Sequence, residues 1–155
     1  MVICEIHIKV APETKEEVFA TFCKDQKVKQ IKAVFTKGDY PNQLMTSKYI
    51  SCSNISVGIE RVKTLSGEIT SVGFRVLRDK LEICCGTEKL LQGVDIAKEG
   101  LYFESHFKIK DDPSDKLTSV LQKYEMTGIS VNILSKTRCC WSQIGCHVPG
   151  LGGSL

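Results

Sequence analysis

The sequence predicts an α+β protein: a βαββαβ unit over residues 1–85, followed by a partial second unit, βαβ, over residues 101–136. Three observations predict it. Apolar and polar residues alternate at period two from Val2 to Val10. Between Ile55 and Val72 apolar residues instead recur at three- and four-residue steps. The pattern Glu-x-His-x-Lys occurs twice, as Glu5, His7 and Lys9 and, 99 positions later, as Glu104, His106 and Lys108.

Taken in order, residues 2–10 form a strand with Val2, Cys4, Ile6, Ile8 and Val10 on one face and Glu5, His7 and Lys9 on the other. Ala11-Pro12-Glu13-Thr14 opens a helix, proline early and an acid in the first turn, and Val18, Phe19, Phe22 and Cys23 follow at helical spacing. A second strand covers residues 31–36, a turn cluster residues 38–42, and a short third strand residues 43–49. Ser53-Asn54 caps a second helix, whose stripe is Ile55, Ile59, Val62, Leu65, Ile69 and Val72, and Gly73 stops it. Phe74 to Ile83 returns as a strand, with Arg78, Lys80 and Glu82 alternating against Leu77, Leu81 and Ile83.

This order is that of a ferredoxin-like unit, an antiparallel four-stranded sheet with both helices on one face. The other face then carries Glu5, His7, Lys9, Arg78, Lys80 and Glu82, and the first and fourth strands lie side by side, so that their charges pair across. Residues 86–100, punctuated by Gly86, Gly93 and Gly100, form a connector. Residues 5–37 then overlay residues 104–136 without a gap, and Glu5, His7, Lys9, Lys24 and Lys37 recur as Glu104, His106, Lys108, Lys123 and Lys136. Residues 137–155 show no sustained period and read as an irregular, flexible tail, so the second unit looks cut short, as in a truncated isoform. An incomplete unit leaves apolar surface and a strand edge uncovered, which predicts self-association.

Composition narrows the function classes. No apolar run is long enough to span a membrane, and Met1-Val2-Ile3-Cys4-Glu5 lacks the basic start of a secretory signal, so the expected location is the cytoplasm. Eight cysteines then read as free thiols in a reducing compartment. The net charge of +3 is spread along the chain, which argues against nucleic acid as a partner.

The candidate catalytic residues are His7 and His106, because two strand-borne imidazoles serve acid–base chemistry while neighbouring lysines hold an oxyanion. Paired histidines on duplicated halves resemble the two-histidine phosphoesterases, although Lys9 and Lys108 stand where that family places a phosphate-binding hydroxyl. The candidate binding residues are Glu5, Lys9, Arg78, Lys80, Glu104 and Lys108. A metal held by His7 and His106 with Glu5 or Glu104 is opposed by the adjacent lysines, so no metal and no cofactor is expected. Adjacent Cys139-Cys140, with Cys146-His147, also lacks the spacing of a zinc site. The plainer reading of Glu-x-His-x-Lys is a polar ladder that fixes strand register.

With no standard catalytic constellation, the expected function is a non-catalytic ligand-binding or protein-interaction module, taking a protein partner or a small anionic ligand. The alternative is a phosphoester- or nucleotide-directed enzyme using His7 and His106.

Glu-x-His-x-Lys on the first strand, Tyr40-Pro41-Asn42-Gln43-Leu44-Met45-Thr46, Gly73-Phe74 leading to Arg78-Asp79-Lys80-Leu81-Glu82, and Tyr102-Phe103-Glu104-Ser105-His106-Phe107-Lys108 together resemble a little-described family of cytosolic proteins. The resemblance covers about residues 1–136. It implies an association, in bacteria, with nucleotidyltransferase-like domains, and members that continue past the point where this chain ends, in keeping with truncation near Thr137; it carries no catalytic role.

Overall fold

The structure, a computed structural model, describes residues 1–35, 40–83, 102–109, 128–132, 134 and 137–145. The chain is a mixed α+β protein. Its elements are β1 (Val2–Val10), α1 (Glu16–Asp25), β2 (Lys29–Phe35), β3 (Asn42–Cys52), α2 (Ile55–Ser71), β4 (Val76–Ile83), β5 (Tyr102–Ile109), β6 (Gly128–Asn132) and β7 (Thr137–Gly145). The first four strands form an antiparallel sheet in the order β4-β1-β3-β2, and the sheet continues through β6-β7-β5 to seven strands.

The period-two pattern of β1 dictates how this sheet is filled. Cys4, Ile6, Ile8 and Val10 are buried, while Glu5, His7 and Lys9 between them are only partly so. The buried set packs under α1 and α2 with Phe19, Phe22, Cys23, Val62, Leu65 and Ile69. Phe74 stands edge-on to Phe19 at 5.3 Å and to Phe22 at 5.7 Å between ring centroids, which ties the start of the last β1 neighbour to α1. Gly58 lets α2 approach the sheet closely: a Cβ there would lie 2.6 Å from Leu81 Cδ2 and 3.3 Å from Cys52 Sγ. Cys4, Cys23 and Cys52 are buried free thiols, and burial pushes the Cys23 thiol up to about 11.

Several boundaries differ from the sequence reading for identifiable reasons. α1 starts at Glu16, one turn after Pro12, because the Ala11 N–H still bonds across to the Arg75 carbonyl and the Thr14 N–H turns back to Ala11. Pro12 therefore sits in a turn and not at the first helical position. β3 runs to Cys52, longer than expected, because Leu44–Cys52 pairs with the whole of β1 while Asn42–Ser47 pairs with β2. A bulge between Lys9 and Val10 places Arg78 opposite Lys9 but Val76 opposite Val10. Val76 thereby joins Leu81 and Ile83 against the core, where Leu77 was expected. The helical stripes were read too wide: Val18, Ile59 and Val72 are exposed.

Both helices end in the same way. In α2 the Gly73 N–H bonds to Thr70 and the Phe74 N–H to Ile69, with Gly73 at φ +93. In α1 the Lys27 N–H bonds to Lys24 and the Val28 N–H to Cys23, but the left-handed position is taken by Lys27 at φ 52. This is the Schellman closure, at a steric cost in α1 that glycine avoids in α2. Asn54 caps α2, its side chain accepting from the Val57 N–H at 3.0 Å, as its position predicts.

The last three strands correct the reading of the C-terminal part. Thr137–Gly145, expected to be irregular, is strand β7, paired antiparallel with β5 on one side and β6 on the other. The pairings follow a pattern. Glu5 lies opposite Tyr49, and Glu104 opposite Gln143; Ala33 lies opposite Gln43, and Asn132 opposite Thr137. The arrangement of β1 and β2 around β3 is thus repeated by β5 and β6 around β7, in register. The two groups meet where β2 pairs antiparallel with β6, Ala33 opposite Asn132, positions that are themselves 99 residues apart. The connector at 86–100, the second-unit helix and residues 146–155 lie outside the described residues.

Two substitutions measured by chemical denaturation test this account in opposite directions. Phe19→Ala, at a fully buried position, is expected to lower stability by about 3–5 kcal/mol. Lys27→Gly is expected to raise it by about 1 kcal/mol by removing the left-handed penalty.

Candidate functional site

The candidate site is built on β1, between β4 and β3. Across β1 and β4, Glu5 faces Glu82, His7 faces Lys80 and Lys9 faces Arg78; on the other side Ser47 faces His7. All of these lie on the sheet face turned away from the helices, as their parity requires. That face is not bare at its centre, where Ser47 is only 4% exposed. The side chains of His7, Glu5, Lys80 and Glu82 are 15%, 18%, 21% and 27% exposed.

Glu5 opposite Glu82 is a like-charged cross-strand pair, which by itself destabilises a sheet. Three neighbours relieve it. His7 Nε2 lies 3.5 Å from Glu5 Oε1 and 3.5 Å from Glu82 Oε2, bridging the two carboxylates. The Ser47 hydroxyl donates to Glu5 Oε1 at 2.5 Å. The Lys80 ammonium pairs with Glu82 Oε1. Burial alone would raise the Glu82 carboxyl, but the hydrogen bond from His7 and the charge of Lys80 outweigh it and hold it at about 2. His7 Nδ1, in contrast, is buried without a hydrogen-bond partner. Lys9 turns its ammonium over the Tyr40 ring, 5.4 Å from the centroid.

The candidate residues therefore divide into two groups. Glu5, His7 and Lys80 converge, with Lys9 and Arg78 one pair further along. Glu104, His106 and Lys108 lie on β5, opposite Gln143, Trp141 and Cys139 of β7. Between β1 and β5 stand β3, β2, β6 and β7, so His7 and His106 are five strand spacings apart, about 24 Å along the sheet. Cys139 and Cys140 fall in β7, while Cys146 and His147 lie outside the described residues.

Two participants were missed. Glu82 was placed on this face but not in the site, and Ser47 was not singled out. Ser47 is recognisable only once the β3 register sets it beside His7; Glu82 could have been found from its position opposite Glu5. At the start of β1 the same face becomes apolar and exposed, with Ile3 58% and Tyr49 66% accessible on neighbouring strands. A separate shallow groove on the helical side is lined by Val18, Phe22, Val72 and Phe74. Among the described residues no helix is long and apolar enough to cross a membrane. No protein-family model, no curated protein and no solved structure matches the chain.

The lowered Glu82 carboxyl predicts a pH dependence with a definite sign. Its folded value of about 2 lies below the reference of 4.5, so its contribution is complete above pH 4.5 and disappears as pH falls towards 2. Thermal unfolding across that interval should show a loss of about 1–2 kcal/mol, less than the full shift implies because the side chain is partly screened by water. Glu82→Gln should flatten that part of the profile.

Proposed function

We propose that the protein is a cytosolic, non-catalytic interaction module that binds a protein partner through the β1–β3 part of the sheet face opposite the helices. The observation that carries this reading is the pair Ile3 and Tyr49. Both are large, apolar and more than half exposed on adjacent strands, and they border the cluster of Glu5, His7, Lys80 and Glu82. Exposed apolar groups rimmed by polar ones are the ordinary composition of a protein contact. Lys9 opposite Arg78 adds a cationic edge suited to an acidic segment of the partner or to a small anion.

The finer architecture belongs to the same proposal. The strand order β4-β1-β3-β2, with two helices over one face, supports a ferredoxin-like unit over residues 1–85. The repeated register of β5, β6 and β7 supports a second, partial unit that extends beyond residue 136 to include β7. A nucleotidyltransferase-like domain, implied by the family resemblance, is one partner to try. The paired-histidine enzyme draws no support from a strand order that keeps His7 and His106 about 24 Å apart.

Sedimentation velocity over a wide concentration range tests the contact with a second copy as the first partner. Concentration-dependent association is expected, abolished by Ile3→Asp/Tyr49→Asp and retained by Val18→Asp on the helical side. A hydrolase or phosphodiesterase activity that disappears in a folded His7→Ala/His106→Ala variant overturns the non-catalytic reading.

A further inference from the structure

The cluster of Glu5, His7 and Glu82 does more than satisfy its own charges. We propose that these three side chains form a site for a divalent cation of borderline hardness: manganese, iron(II), cobalt or zinc. The proposal is independent of the partner contact at Ile3 and Tyr49.

The donor geometry is the first argument. Ligands about 2.0–2.2 Å from a tetrahedral ion stand about 3.3–3.6 Å from one another. His7 Nε2 is 3.5 Å from an oxygen of Glu5 and 3.5 Å from one of Glu82. One donor atom from each of the three residues falls within 4.8 Å of the others. An ion placed among them needs little movement of any ligand. One imidazole with two carboxylates suits these metals and leaves room for water or an anion as a further ligand.

The second argument is the surroundings. In established metal sites the ligating carboxylates are themselves held by hydrogen bonds from a second layer. Here the Ser47 hydroxyl fixes Glu5, and the Lys80 ammonium fixes Glu82 through Oε1, leaving Oε2 facing His7. The three ligands come from neighbouring strands of a paired sheet, the rigid setting in which such geometry persists. Two features of the sequence oppose a metal: Glu5 and His7 sit two apart on one strand and have to lean together, which they do at 3.5 Å, and lysines are adjacent. Lys9, however, directs its ammonium over Tyr40, and Lys80 pairs with the other oxygen of Glu82. The second ligand-bearing partner of His7 is Glu82, not His106. The ion would take the Nε2 lone pair of the neutral imidazole, whose single ring proton is then on Nδ1; an imidazolium would first pass its Nε2 proton to solvent.

Titration of the full chain with Mn²⁺, followed by NMR of the histidine ring signals, tests this with a metal that the free thiols bind weakly. Paramagnetic broadening of the His7 ring at substoichiometric Mn²⁺ is expected, reversed by a chelator. Glu5→Gln and Glu82→Gln should each weaken binding at least tenfold by calorimetry. Ser47→Ala, which keeps all three ligands, should weaken it about tenfold. A His7 ring unaffected by millimolar Mn²⁺ in the unsubstituted protein overturns the proposal, whether or not the variants fold. So does unchanged affinity in folded Glu5→Gln and Glu82→Gln proteins, which would place the ion elsewhere.

Discussion

Everything described depends on β1 being paired on both sides in one register. Its even-numbered residues from Cys4 to Val10 close the core, and its odd-numbered residues supply Glu5, His7 and Lys9 to the opposite face. A slip of one residue against β3 or β4 would drive three ionisable groups under the helices and expose four apolar ones. The free energy that holds the core together is therefore the same free energy that brings Glu5, His7 and Glu82 within reach of one another. Core and site are two readings of one alternation.

That coupling explains why the site contains an unfavourable pair. The register chosen by the core sets Glu5 opposite Glu82, and no side-chain rearrangement can separate their backbones. What the chain can do is place an imidazole between the carboxylates and a hydroxyl and an ammonium behind them. The result is a compact array in which two negative charges, one bridging ring and one ammonium are held in fixed positions. A cluster built to relieve repulsion and a cluster built to hold a cation use the same groups, which is why both uses can coexist here.

The sequence made the first unit legible wherever a local pattern and a tertiary one agreed. The β1 alternation, the Asn54 cap and the Gly73 stop all have short-range causes, and each appears as expected. Reading failed where a distant partner decided the outcome. The Arg75 carbonyl holds Ala11 in the sheet and delays α1; the bulge opposite Lys9 substitutes Val76 for Leu77; pairing with both β5 and β6 makes a strand of Thr137–Gly145, which has little periodicity of its own. The site shows the same division. Its β1 members stood out because the motif repeats, whereas Ser47 and the role of Glu82 follow only from register. The repetition itself drew attention to His106, which the strand order places far from His7.

The junction of β2 with β6 has one more consequence. Ala33 opposite Asn132, in antiparallel strands whose neighbours follow equivalent registers, is the arrangement that a two-fold dimer adopts when one edge strand meets its own copy. Between separate molecules a contact of three residue pairs would be feeble and would dissolve on dilution. Carried on a single polypeptide, the same contact forms at an effective concentration set by the chain between the halves, not by how much protein is present. The continuity of the seven-stranded sheet is thus insensitive to dilution, and a short seam suffices where a dimer would have needed a broad one.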